Sequence, residues 1–145
     1  MPGILVIAHA PLASALVSAS RHVYSRDPCV ASRRLIALDV APDADVGAAT
    51  AQARAGLAEA DRGDGVLVLT DLLGATPGNV AASLVEPGRV AVVSGASMPM
   101  LLRALCYSTS DLEDVVEKAL HGAVQGAQRV AAPGPGPEGG EGEPA

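Results

Sequence analysis

Four short runs of β-branched and aliphatic residues, Gly3–Ala8, Leu35–Leu38, Val66–Leu69 and Val90–Val93, divide this chain at regular intervals. Between them lie Ala-rich segments with helical spacing, notably Leu12–Tyr24 and Val46–Ala60. Nearly continuous apolar runs, rather than alternating ones, suit strands buried on both faces. Strands separated by helix-length segments suit crossover connections. The pattern therefore predicts a three-layer α/β domain around a mainly parallel four-stranded sheet. A last helix is expected over about Leu112–Val124, with Asp111 as its N-cap and acids in its first turn.

At 145 residues, one domain can bury a core without staples. Beyond Val130 the chain turns into an acidic Pro/Gly segment that has little to bury. Residues 1–131 are therefore read as the domain and 132–145 as a disordered tail, either a solvated linker or an interaction handle. The net charge of −6 and the absence of Trp and Phe exclude a nucleic-acid platform. Cys29 and Cys106 form no metal-spaced cluster and read as ordinary thiols. The first apolar run lacks a basic flank and is too short to span a bilayer, so a cytoplasmic protein is expected.

Chemistry is expected at the strand ends, because in a parallel sheet those loops emerge on one edge. The first strand runs into Ala8-His9-Ala10-Pro11, the third into Asp71-Leu72-Leu73-Gly74-Ala75-Thr76-Pro77-Gly78-Asn79, and the fourth into Ser94-Gly95-Ala96-Ser97-Met98-Pro99. An imidazole can serve there as base, metal ligand or nucleophile. A carboxylate such as Asp71 beside it would fix its tautomer. Thr76 followed by Pro77 reads as an N-cap and N1 pair, and a helix start favours a phosphate. Ser97 is expected to cap another helix. Each piece also has an ordinary structural reading: a histidine at a strand end, a turn aspartate, a generic helix start. His22 and His121 fall within expected helices and read as structural or surface residues. Other chemistries lack their residues: there is no GxxxxGK[ST] loop, no dinucleotide glycine pattern after the first strand, no GxSxG elbow and no third metal ligand near His9 and Asp71.

Taken together, these motifs resemble a known family. Thr70–Asn79 resembles the D-x-x-G-[GA]-[ST]-P-x-N signature of mannose-type enzyme IIA domains of the bacterial phosphoenolpyruvate:sugar phosphotransferase system (PTS). Gly95–Leu102 resembles their G-x-N-x-P-M-L segment, and Ile4–Pro11 their first strand and active-site histidine. The resemblance implies a phosphoryl carrier that needs no cofactor and no metal. His9 would accept phosphate from the phosphocarrier HPr and pass it to an enzyme IIB partner, with a membrane IIC/IID complex involved only indirectly. Asp71 would orient His9, while Gly74, Ala75 and Thr76 would bind phosphoryl oxygens, with Ser97 and Pro99 in a neighbouring loop. It also implies a homodimer that exchanges a fifth, antiparallel strand, for which Gln128–Ala132 is the best candidate. Ser97 stands where the family usually has Asn, and Ala75 where a second Gly is frequent. No IIB domain follows the Pro/Gly segment. That is compatible with a separate IIB, or with a regulatory protein whose phosphorylation state controls binding to other proteins. The phosphoryl-carrier subunit of dihydroxyacetone kinase shares the fold, but the Gly74–Asn79 turn argues against it. The sugar is not legible in this chain.

Overall fold

Each apolar run becomes a strand that extends past its last apolar residue. In the computed structural model, which describes residues 1–31, 33–107 and 109–134, β1 spans Gly3–His9, β2 Leu35–Val40, β3 Val66–Thr70 and β4 Val90–Ser94. All pairings are parallel and the order is β2-β1-β3-β4. The extra residues belong to the ladder: His9 lies opposite Val40, and Thr70 lies between Ile7 and Ser94. β1 therefore connects outward to β2 on one side and pairs with β3 on the other, which makes the β1/β3 boundary a topological switch point.

The helices are α1 (Leu12–Val23), α2 (Pro28–Ala31), α3 (Val46–Ala60), α4 (Thr76–Ala82), α5 (Met98–Cys106) and α6 (Leu112–Gly126). Alternation along the strands sorts the core into two halves. Ile4, Val6, Ala8, Leu67 and Leu69 pack with α1, α5 and α6. Leu5, Ile7, Val66 and Val68 pack with α3 and α4. Covering both faces is what a sheet of nearly continuous apolar strands requires.

Local chemistry sets the helix starts. Asp45 Oδ2 accepts from Ala48 N–H at 2.9 Å, Asp111 Oδ1 from Asp114 N–H at 2.9 Å, and Ser97 Oγ from Met100 N–H at 3.3 Å. The expected caps at Ser97 and Asp111 are therefore present. Thr76 corrects its expectation: it is the first helical residue, and Ala75 takes the cap position in extended conformation. The Ala75 carbonyl accepts the first α-helical bond, from Asn79 N–H at 2.9 Å, which is the defining property of an N-cap. Pro77 then sits one residue deeper, still within the first turn where a missing N–H costs little. The short α2 was not anticipated. Asp27 before Pro28 is its signal, and Asp27 Oδ1 accepts from Cys29 N–H at 2.9 Å.

Helices α5 and α6 approach closely through glycine. A Cβ on Gly122 would lie 2.7 Å from Arg103 Cβ and 2.8 Å from the Pro99 carbonyl oxygen. Gly122→Val is expected to cost about 1–3 kcal/mol by overpacking, read as a lower urea midpoint with an unchanged slope.

Residues 127–134 are exposed and without regular structure, so no fifth strand forms at 128–132 within the single chain, and β4 is an edge of the sheet. The tail expectation for 132–145 lies outside the described residues from 135 onward. Both cysteines are exposed and outside any disulfide, and His22 and His121 lie exposed on α1 and α6. Among the described residues, no helix is long and apolar enough to cross a membrane.

Candidate functional site

The switch point brings together the two residues picked out at the strand ends. His9 closes β1, and Asp71 is the first residue after β3. His9 Nδ1 lies 2.7 Å from Asp71 Oδ2, and the same oxygen accepts the His9 backbone N–H at 3.1 Å. Asp71 Oδ1 accepts from Leu72 N–H at 2.9 Å. An ionised carboxylate can only accept, so Nδ1 carries the ring proton and the Nε2 lone pair is left free. The side chains differ in exposure, 45% for His9 and 11% for Asp71. The acid is sheltered and the ring is presented.

The electrostatics follow from these contacts. Burial pushes the Asp71 carboxyl upward. The hydrogen bonds from the His9 ring and from the His9 and Leu72 amides outweigh it and hold the carboxyl below its ordinary 3.8. Asp71 is thus an anion across the neutral range, placed to stabilise positive charge on the ring.

The surrounding loops are tied to the same strands. Ala10 N–H donates to the Val40 carbonyl at 2.9 Å, Gly95 N–H to the Asp71 carbonyl at 3.1 Å, and Ala96 N–H to the Thr70 carbonyl at 3.0 Å. Gly74 takes φ +84°, which a side-chain-bearing residue rarely adopts, and lets the chain turn back into α4. Gly78 is required because a Cβ there would run into the Leu72 carbonyl. The Gly74, Ala75 and Thr76 amides donate no hydrogen bond among the described residues, and Gly74 is exposed. Neither Thr76 nor Ser97 hydrogen-bonds His9. Ser97 is occupied as the α5 cap, and Pro99 lies in the first turn of α5 with its ring against Gly126.

One residue was missed in the sequence. α1 begins at Leu12 with Pro11 in the N-cap position and no side-chain cap of its own, and Asp39 near the end of β2 supplies one from outside. Asp39 Oδ1 accepts from Ser14 N–H at 3.0 Å, and its Oδ2 from Ser14 Oγ at 2.5 Å. The signal was an uncapped helix start facing a carboxylate at a neighbouring strand end. Asp39→Ala is expected to destabilise the fold by about 1 kcal/mol, as loss of an N-cap does, measured by equilibrium denaturation.

The chain is thus a small α/β protein whose doubly covered parallel sheet presents a carboxylate-supported histidine at its switch point. The profile described as "PTS system fructose IIA component" matches residues 3–120, and the chain belongs to that family. Family membership implies a phosphotransfer role within a phosphotransferase system.

Solved structures agree in fold. The chain is similar to a phosphotransferase system component EIIA from Streptococcus agalactiae, with 22% identity, 89% of this chain and 97% of that one covered, and TM-score 0.75. It is similar to a mannose/sorbose-specific IIA subunit from Enterococcus faecalis, with 19% identity, 92% and 97% covered, and TM-score 0.77. A PTS IIA protein associated with the fucose utilization operon of Streptococcus pneumoniae shares 25% identity over 88% and 92% of the two chains, with TM-score 0.74. No curated protein sequence matches significantly.

Proposed function

We propose that this protein is the IIA phosphoryl carrier of a sugar phosphotransferase system, taking phosphate from phospho-HPr on His9 and delivering it to an enzyme IIB partner. The observation that carries this reading is the bond from His9 Nδ1 to Asp71 Oδ2, which leaves Nε2 as the free nucleophile on an exposed ring. In the transfer step the Nε2 lone pair forms a P–N bond to the incoming phosphorus while the donor histidine's P–N bond breaks. The Nδ1 proton stays on the ring, and Asp71 offsets the positive charge that develops there. No metal or nucleotide enters, because the donor already carries the phosphoryl group at high transfer potential. The site has only to align the groups and disperse charge. The free amides of Gly74, Ala75 and Thr76 would meet the phosphoryl oxygens.

The rim supports transient protein partners. Leu72 and Leu73 beside Asp71 are 51% and 64% exposed, and Leu12 just beyond His9 is 37% exposed. Exposed apolar side chains around a polar centre suit brief docking over a modest interface. In the same proposal the chain acts as a cytoplasmic homodimer, with residues 128–132 exchanged as a strand.

The direct test incubates the protein with phosphoenolpyruvate, enzyme I and HPr and follows its intact mass. Gain of one acid-labile phosphoryl group is expected, and its loss on adding a IIB domain identifies the acceptor. A chain that gains no phosphate overturns the reading. A chain that is phosphorylated but discharged by no IIB is a regulatory protein instead.

A further inference from the structure

Only Ala10 and Pro11 join His9 to α1. A link that short passes any shift of the first turn of α1 to the backbone that carries the imidazole. The link is held to β2 at both ends. Ala10 N–H donates to the Val40 carbonyl at 2.9 Å. Ser14, in the first turn beyond the link, is clasped through both Asp39 oxygens, with N–H to Oδ1 at 3.0 Å and Oγ to Oδ2 at 2.5 Å. In the ladder Asp39 lies opposite Ala8, and Val40 opposite His9. The ring itself is held from the other side, by Asp71 after β3. Asp39 acts on the backbone alone. By strand alternation it shares the sheet face of Ala8 and α1, whereas His9 follows Leu5 and Ile7 on the α3/α4 face.

The Ser14 hydroxyl has one proton and two acceptors in reach, Asp39 Oδ2 at 2.5 Å and the Pro11 carbonyl at 3.2 Å. The ionised oxygen is nearer and the stronger acceptor, so the proton goes there. The Pro11 carbonyl is thereby left to Ala15 N–H at 3.1 Å, a first-turn bond of α1. A serine that turns back onto the carbonyl of the preceding turn competes with such a bond and bends the helix. We infer that Asp39 is a positioning residue for His9. By drawing the Ser14 hydroxyl away from Pro11 it keeps the start of α1 regular and the link fixed, and so sets where Nε2 is presented. Its effect on the transfer rate rests on the phosphoryl-carrier reading; its effect on the ring does not.

Asp39→Asn separates positioning from capping. An amide NH₂ turned toward Ser14 N–H would set two donors face to face, so the amide oxygen stays on that N–H and the cap survives. The hydroxyl then meets the NH₂ and turns to the Pro11 carbonyl. Two readouts are taken on the full chain: the transfer rate at saturating phospho-HPr, and exchange of the His9 Nδ1 proton with water, followed by NMR on the unphosphorylated protein. Asp39→Asn should slow transfer about tenfold and speed ring-proton exchange about tenfold, less than the roughly 100-fold that a 1 Å misplacement can cost. Asp39→Asn combined with Ser14→Ala has no hydroxyl to redirect and should regain most of both. A residue that only caps α1 would lower the urea midpoint and leave the rate and the ring proton of the folded chain as in the parent; that result overturns the proposal. A double variant no better than Asp39→Asn also overturns it. If the parent itself takes no phosphate, the phosphoryl-carrier reading fails, and the ring-proton measurement alone decides the role of Asp39.

Discussion

His9→Ala leaves a folded protein that gains no phosphoryl group from phosphoenolpyruvate, enzyme I and HPr, whereas His22→Ala and His121→Ala are phosphorylated like the parent. The expectation rests on position. His22 and His121 lie exposed on helices, and neither has the carboxylate that His9 finds in Asp71. The fold should survive, because the His9 side chain is 45% exposed and contributes one hydrogen bond. Removing it is expected to cost about 1 kcal/mol. Asp71 keeps its bonds from the residue-9 and Leu72 amides, which are backbone groups. Intact mass before and after mild acid, with a urea midpoint alongside, checks both halves. An acid-labile phosphate on the His9→Ala chain would remove His9 from the mechanism.

How far the sequence reaches can be judged residue by residue. The strands were legible because Ile4–Ala8 and Val66–Leu69 are apolar without alternation, which only a doubly covered sheet accommodates. His9 and Asp71 were legible as neighbours because parallel strands release their loops on one edge. Which strands adjoin was not: the order β2-β1-β3-β4, which makes β1 and β3 partners, is decided by packing across the whole sheet. Thr76 was misplaced by one position because a Thr-Pro pair fits two registers of a helix start. The extended backbone of Ala75 chose between them. Asp39 escaped notice because its partner Ser14 is 25 residues away and on another element. The apolar rim at Leu72 and Leu73 was written in the sequence, but only their exposure separates it from core.

Asp71→Asn should slow phosphoryl transfer to His9 by about 10- to 100-fold, the range seen when the carboxylate behind a metal-bound imidazole is lost, while preserving the fold. The carboxylate accepts on both oxygens, from His9 Nδ1 and His9 N–H on Oδ2 and from Leu72 N–H on Oδ1. An amide has one acceptor and one donor end, so either orientation sets an NH₂ against an N–H. With the NH₂ toward His9, the ring relieves the conflict by moving its proton to Nε2, which blocks the lone pair that attacks phosphorus. With the NH₂ toward Leu72, the tautomer survives but the countercharge to the forming imidazolium is lost. Ring ¹⁵N shifts distinguish the two, and the slowing should fall on the transfer rate rather than on the HPr concentration at half-saturation. Stability supplies an independent check. Asp71 holds its carboxyl below 3.8 in the folded state, so its contribution is fully present above that value and is lost as pH falls through the lowered folded value. Parent and Asp71→Asn should therefore differ in urea midpoint near neutrality and converge in acid. An unchanged transfer rate, with the ring still protonated on Nδ1, would show that the carboxylate does not position His9.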